Sequence, residues 1–325
     1  MNSKNKILHL ERETYSVSSL KKLEENYDVT YASFNNQSAF DAFLKGKDFE
    51  IVFTKLGLSI GKVQMDLLCK LKIICTPTTG YNHIDEEYAN QKTIQIIGLK
   101  NQKDFLSQVK STAEHSWALM LSIARNLHPA ITYTQKAKKW DRNPYLADEL
   151  NEKTLGIIGY GRLGKIIGEY GQVFGMNVLA YDLDDKAFHS KPLYVEKTDL
   201  DNLLENSDYI ILLISWTKEN INFIDTKKIS LMKKEAYLIN TARGELIDEK
   251  ALLKALKNNK IKGAALDVLW EDSSWDKEKT VYNELLDYSK TNNNLIITPH
   301  MGGYGKSSIE KTREFITNLF LKQST

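Results

Sequence analysis

From Lys6 onward, short apolar runs alternate with segments whose apolar residues recur every three or four positions. The runs KILHL, DVTYAS, FEIVFTK and LKIICTPT predict strands, and SVSSLKKLEENY, SAFDAFLKG and GKVQMDLLCKL predict the helices between them. Such alternation implies βαβ units and a parallel sheet. After QKTIQIIGL comes the long amphipathic segment STAEHSWALMLSIARNL, with Glu114 near its start and Pro129 closing it, long enough to cross from one domain to another. The pattern then restarts. KTLGIIGYG, NVLAYD, SDYIILLIS, EAYLINTA, IKGAALDVL and NLIITPH are candidate strands of a second α/β unit, and SSIEKTREFITNLFLKQ is a final helix. No repeat, low-complexity stretch or Gly/Ser linker marks a boundary; the pattern places the second unit at about residues 104–298.

With 325 residues and 42% hydrophobic composition the chain can build two cores. Its 44 basic and 42 acidic residues leave a formal charge of +2 without a block of one sign, so no nucleic acid or anionic membrane is required as a partner. The N-terminus has no signal-peptide core, and no run approaches the roughly 18 apolar residues of a membrane span. A soluble cytoplasmic protein is expected. Cys69 (LLCKL) and Cys75 (IICTP) lack metal-ligand spacing; the expectation is reduced, buried core cysteines and no metal.

Candidate chemistry begins at LGIIGYGRLGKIIG, where Gly159, Gly161 and Gly164 lie between an apolar run and a helical one. A strand-to-helix turn of this type uses one glycine for its backbone conformation, a second to admit a pyrophosphate, and a third for helix-on-strand packing. The helix N-terminus then offers N–H groups to the phosphates. Asp182 ends the next strand near the spacing of a ribose-binding acid, and its charge would repel a 2′-phosphate, favouring NAD over NADP.

Three later strand ends carry polar residues. Arg243, in LINTARGELID, can hold a carboxylate through two hydrogen bonds. Asp267, in GAALDVLWEDSS, has Glu271 and Asp272 just beyond it, and His300 sits in LIITPHMGGYG. His300 is the natural acid/base, since an imidazole can exchange the proton of a hydroxyl near neutral pH, and a carboxylate at its other ring nitrogen would fix the tautomer. His9, His115, His128 and His189 show no such company.

The segments TLGIIGYGRLGK, INTARGELIDEKALLKAL, KGAALDVL and ITPHMGG resemble the D-isomer-specific 2-hydroxyacid dehydrogenases, and CTPTTGYNHID and STAEHSWALMLSIARNL extend the resemblance over nearly the whole chain. The resemblance implies a two-domain α/β fold: a flavodoxin-like substrate domain from residues 1–103 plus 299–325, with a Rossmann NAD domain, 104–298, inserted. It implies that Arg243 binds the substrate carboxylate and His300 is the acid/base. It further implies that Arg162 and Leu163 offer backbone N–H groups to the pyrophosphate, and that Thr241, Ala242, Asp267 and the stretch from His300 through Gly302 and Gly303 surround the nicotinamide. Thr79 and Gly80 would meet the substrate through backbone N–H groups, and the arm KKWDRNPYL would join a homodimer through the NAD domain.

Departures from the family pattern bear on the details. Its third catalytic residue, a glutamate, falls at Asp272, with Glu271 one residue earlier, so either carboxylate remains a candidate partner of His300. IILLISWT has Leu213 and Ser215 where the family often has histidine and proline. Lys55, at the end of FEIVFTK, is either a surface lysine or the contact of a second anionic group, as on a phosphorylated substrate such as 3-phosphoglycerate; after the last helix no appended regulatory domain is expected. The expected activity is NAD-dependent interconversion of a 2-oxo acid and a D-2-hydroxy acid. The alternatives are an NAD-sensing, corepressor-like binding module, against which Arg243, the carboxylates and His300 argue, and a formate- or phosphite-type dehydrogenase on the same fold.

Overall fold

The computed structural model describes residues 4–137, 140–270, 272 and 283–323. The chain forms two compact units. The first runs to Val109 and resumes at Gly305; the second occupies Lys110–Asp272 and ends at Tyr304, so it is inserted in the first. Each junction falls six residues beyond its expected place. Phe105 stacks on Phe315 within the first unit, ring centroids 3.9 Å apart, and Met301 and Gly302 are hydrogen-bonded to Asp267 within the second.

The first unit contains β1 (Lys6–His9), α1 (Val17–Asn26), β2 (Asp28–Tyr31), α2 (Gln37–Leu44), β3 (Ile51–Phe53), α3 (Lys62–Leu67), β4 (Ile73–Cys75), α4 (Glu86–Gln91), β5 (Gln95–Ile97), α5 (Lys103–Leu106) and the C-terminal helix Lys306–Gln323. Its strands are all parallel in the order β2-β1-β3-β4-β5, the flavodoxin-like order. Alternate strand residues serve opposite faces: Leu8, Val52 and Ile74 pack with Phe40, Leu44 and Met65, while Ile7, Ile51, Phe53 and Cys75 pack with Leu23, Ile316 and Phe320. Side chains of Ser16, Asn36 and Asp85 cap α1, α2 and α4. Cys75 is buried as expected, but Cys69 is exposed, because α3 ends at Leu67 and the chain turns Leu68 and Leu71 inward on either side of it.

The second unit holds α6 (Ser111–Ala124), α7 (Leu127–Ala137), β6 (Thr154–Ile158), α8 (Arg162–Val173), β7 (Asn177–Tyr181), β8 (Val195–Lys197), α9 (Leu200–Asn206), β9 (Tyr209–Leu212), α10 (Thr226–Leu231), β10 (Tyr237–Asn240), α11 (Glu249–Lys257), β11 (Gly263–Leu266), α12 (Glu284–Ser289) and β12 (Leu295–Ile297). The parallel order β12-β11-β10-β9-β6-β7-β8 is a doubly wound sheet that reverses direction at β6. Its central strands YIIL, YLIN and GAAL are buried throughout, which is why they read as unbroken apolar runs.

Two expectations about helices are corrected. The long amphipathic segment does not end at Pro129: α6 stops at Ala124, Asn126 turns left-handed at φ +51°, and Pro129 lies in the first turn of α7, where its missing N–H costs nothing. Helix α6 also does not cross between domains but belongs to the second unit. Among the described residues no helix is long and apolar enough to cross a membrane.

Candidate active site

The expected site residues of the second unit gather at the C-terminal ends of its strands, the ligand-binding edge of an open α/β sheet. Between β6 and α8, Gly159 has φ +100°, and a Cβ there would come within 2.8 Å of the Leu213 carbonyl carbon. Its N–H donates to Tyr181 O at 2.8 Å, tying the turn to the end of β7, where Asp182 follows. A Cβ on Gly164 would strike the Gly159 carbonyl, so the third glycine lets the helix approach the strand. Asp182 Oδ1 accepts from Asp184 N at 2.9 Å, which holds the carboxylate at the strand end.

The turn fits a dinucleotide. Gly161 is the N-cap of α8 without a capping side chain, and a Cβ there would meet nothing within 4 Å. The first N–H groups of a helix, here those of Arg162 and Leu163 beside Gly161, have no intrahelical acceptor and are the groups a helix N-terminus offers to a phosphate.

At the end of β10, Thr241 and Ala242 lead into Arg243. Ser116 Oγ donates to Thr112 O, so Thr241 Oγ1 donates to Ser116 across 2.6 Å and docks the strand end on α6. Asn240 clamps the next residues by donating to Arg243 O at 2.8 Å and accepting from Ala242 N at 2.9 Å. The half-buried Arg243 guanidinium donates to Ala242 O, and no carboxylate pairs with it among the described residues. Its neighbour Gly244 lies against the backbone of Leu269 and Trp270, so the β10 and β11 loops meet here.

His300 and Asp272 come together. Asp272 Oδ2 lies 3.1 Å from His300 Nδ1 and also accepts from Leu269 N at 3.0 Å. The His300 side chain is 24% exposed, leaving part of the ring open to a ligand. Glu271, the other candidate, lies outside the described residues. His300 has φ +51°, a left-handed conformation that a non-glycine residue keeps only when its surroundings impose it. Asp267 supplies much of that constraint. Its carbonyl accepts from His300 N at 2.8 Å, its Oδ1 from Met301 N at 2.9 Å and from Thr298 Oγ1 at 2.6 Å, and its Oδ2 from Gly302 N at 2.7 Å. Burial would push the Asp267 carboxyl up, but the hydrogen bonds from His115, Thr298, Met301 and Gly302 outweigh it and hold the carboxyl below its ordinary value. Gly302 is buried in this turn and Gly303 is exposed beside it.

His115 corrects the expectation that it has no acidic company: its Nε2 lies 3.1 Å from Asp267 Oδ1 and 3.0 Å from Thr298 Oγ1. The sequence signal was present. Thr112, His115 and Ser116, spaced three and four apart, form a polar stripe beside the buried Ala113, Trp117 and Met120 of this helix, and such a stripe needs partners. Glu249, at the start of α11, is another residue that motifs miss; it accepts from Trp270 N at 2.7 Å beside Asp272.

Thr79, Gly80 and Lys55 belong to the first unit. Thr79 is exposed and Gly80 half-buried after β4, and Thr78 Oγ1 donates to Gly80 O at 2.9 Å. Thr76 must then donate to Thr78 across 2.8 Å, and His83 Nε2–H to Thr76 across 3.1 Å, a one-way chain that orders this loop. Lys55 Nζ lies 3.5 Å from Glu13 Oε1, within its own unit.

A glycine turn of the dinucleotide-binding type, with an arginine and a histidine–aspartate pair on the same sheet edge, is the arrangement expected of a nicotinamide-dependent oxidoreductase. The comparisons narrow the class. Residues 117–302 match the D-isomer specific 2-hydroxyacid dehydrogenase NAD binding domain. The chain is 32% identical over 304 residues to a glyoxylate reductase of Thermococcus kodakarensis, covering 91% of this chain and 87% of that one. It is 36% identical over 284 residues to a D-3-phosphoglycerate dehydrogenase of Methanocaldococcus jannaschii, covering 87% of this chain and 51% of that one. A D-lactate dehydrogenase of Aquifex aeolicus, solved with NAD and lactic acid, superposes with a TM-score of 0.81 at 29% identity, covering 98% and 96% of the two chains. The chain belongs to the D-isomer specific 2-hydroxyacid dehydrogenase family. It is an NAD-dependent oxidoreductase acting on the CH–OH group of 2-hydroxy acids.

Proposed function

We propose that the physiological reaction includes reduction of a small 2-oxo acid to the D-2-hydroxy acid, with Arg243 holding the carboxylate and His300 exchanging the proton. The observation that carries this reading is the 3.1 Å contact between Asp272 Oδ2 and His300 Nδ1. A carboxylate at Nδ1 keeps that nitrogen protonated, which makes Nε2 the atom that faces the substrate oxygen. Bound NADH supplies the hydride to the carbonyl carbon. Arg243 orients the acid through its two-pronged guanidinium, and its charge stabilises the oxygen as negative charge builds. His300 enters reduction protonated and gives its Nε2 proton to that oxygen; in oxidation it enters neutral and takes the proton back. Asp182 favours NADH over NADPH by repelling a 2′-phosphate.

The assembly that goes with this reading is a homodimer formed through the arm after α7, where Trp140 and Leu146 are 95% and 91% exposed. Residues 138 and 139 of that arm lie outside the described residues.

The test of His300 is direct. His300→Ala is expected to lower turnover by roughly 10² to 10⁴ while NADH binding, followed by nicotinamide fluorescence, stays unchanged. Full activity in the variant would remove His300 from the chemistry.

A further inference from the structure

The inward stripe of α6 meets the His300 turn at several points. Ser111 Oγ donates to Gly302 O at 2.8 Å, and a Cβ placed on Gly302 would lie 3.5 Å from Thr112 Cγ2 and 3.6 Å from His115 Cδ2. The hydrogen positions around His115 follow from the partners. Thr298 Oγ1 gives its only hydrogen to Asp267 Oδ1 at 2.6 Å, so toward His115 it can only accept, and the ionised carboxylate can only accept as well. His115 Nε2, at 3.0 Å and 3.1 Å from these two oxygens, must therefore carry a hydrogen and share it between them.

We propose that His115 is a positioning residue for the reaction: its Nε2–H fixes Thr298 and Asp267, and through them the turn that sets the His300 imidazole against Asp272. The linkage is short. Asp267 grips the backbone of His300, Met301 and Gly302 in succession, and Thr298 stands two residues before His300. With a side chain that cannot donate at position 115, Asp267 keeps its burial but loses a donor, and Thr298 loses the group that fixes its rotamer. The left-handed His300 then has less to hold it, and small displacements at a reacting centre lower rate more than affinity. The proposal rests on the reading of His300 as the acid/base.

The experiment measures kcat, KM for a 2-oxo acid and Kd for NADH in His115→Phe, His115→Gln and Thr298→Val, with His300→Ala beside them. The expected result is a kcat loss of roughly tenfold to a hundredfold in His115→Phe, with KM and Kd little changed. The amide N–H of His115→Gln can donate to the same oxygens, so that variant recovers most of the rate. Thr298→Val loses rate in the same way, which keeps the test open if His115→Phe fails to fold. Wild-type kcat in His115→Phe or Thr298→Val overturns the proposal. So does an equal loss in folded Phe and Gln variants, or a loss confined to KM. Full activity of His300→Ala overturns the acid/base reading itself, whatever the His115 variants do.

Discussion

Asp272 Oδ2 accepts from Leu269 N at 3.0 Å and lies 3.1 Å from His300 Nδ1, so a carboxylate one methylene shorter than the family's glutamate still comes within reach of the histidine. The sequence left Glu271 and Asp272 open because adjacent carboxylates differ only in the direction of their side chains, which a loop's course decides. For His115 the polar stripe was legible but its partner was not: Asp267 stands 152 residues away, and only the fold brings them together. His9 offers a test of residue-level electrostatics in the first unit. It is stacked 5.1 Å from Phe53 and edge-on 4.4 Å from Tyr15, and burial, helped by the Arg313 charge, pushes its pKa down from 6.5 to about 3. Between those values the unfolded chain binds a proton that the folded chain refuses. Stability therefore falls as pH drops through that window, by up to about 1.4 kcal/mol per pH unit. Denaturant titrations from pH 7 to pH 3 should show a shallower loss in His9→Phe than in the wild type. Parallel curves would contradict it.

The elements that sequence made legible are those whose pattern is strong over several residues. The buried runs of β6, β9, β10 and β11 and the glycine turn before α8 carry their signals locally. Edge strand β8, with the sequence VEK, did not stand out, because only Val195 is buried and the strand rests on pairing with β7 rather than on its own composition. Pro129 reads equally as the end of one helix or the first turn of the next, and the left-handed Asn126 before it decides the matter. The His300 turn is legible as a motif but not as a conformation: its left-handed backbone depends on Asp267 and α6, elements far apart in the chain.

At the scale of the molecule, the restart of the strand pattern predicted a second α/β unit and the family resemblance implied its insertion into the first; the two sheets have the strand orders of a flavodoxin-like and a doubly wound unit. The proposed homodimer belongs to this scale as well. Replacing Trp140 and Leu146 together by serine should shift sedimentation from a dimer toward a monomer; a monomeric wild type would remove the proposed assembly. The most direct test of the account is the loss of reduced-nicotinamide absorbance with glyoxylate, pyruvate, hydroxypyruvate, phosphohydroxypyruvate and bulkier 2-oxo acids, run with NADH and with NADPH. The account predicts steady turnover of at least one acid with NADH, slower with NADPH, giving the D-hydroxy product. No turnover of any 2-oxo acid by protein that binds NADH, or a preference for NADPH, would contradict it.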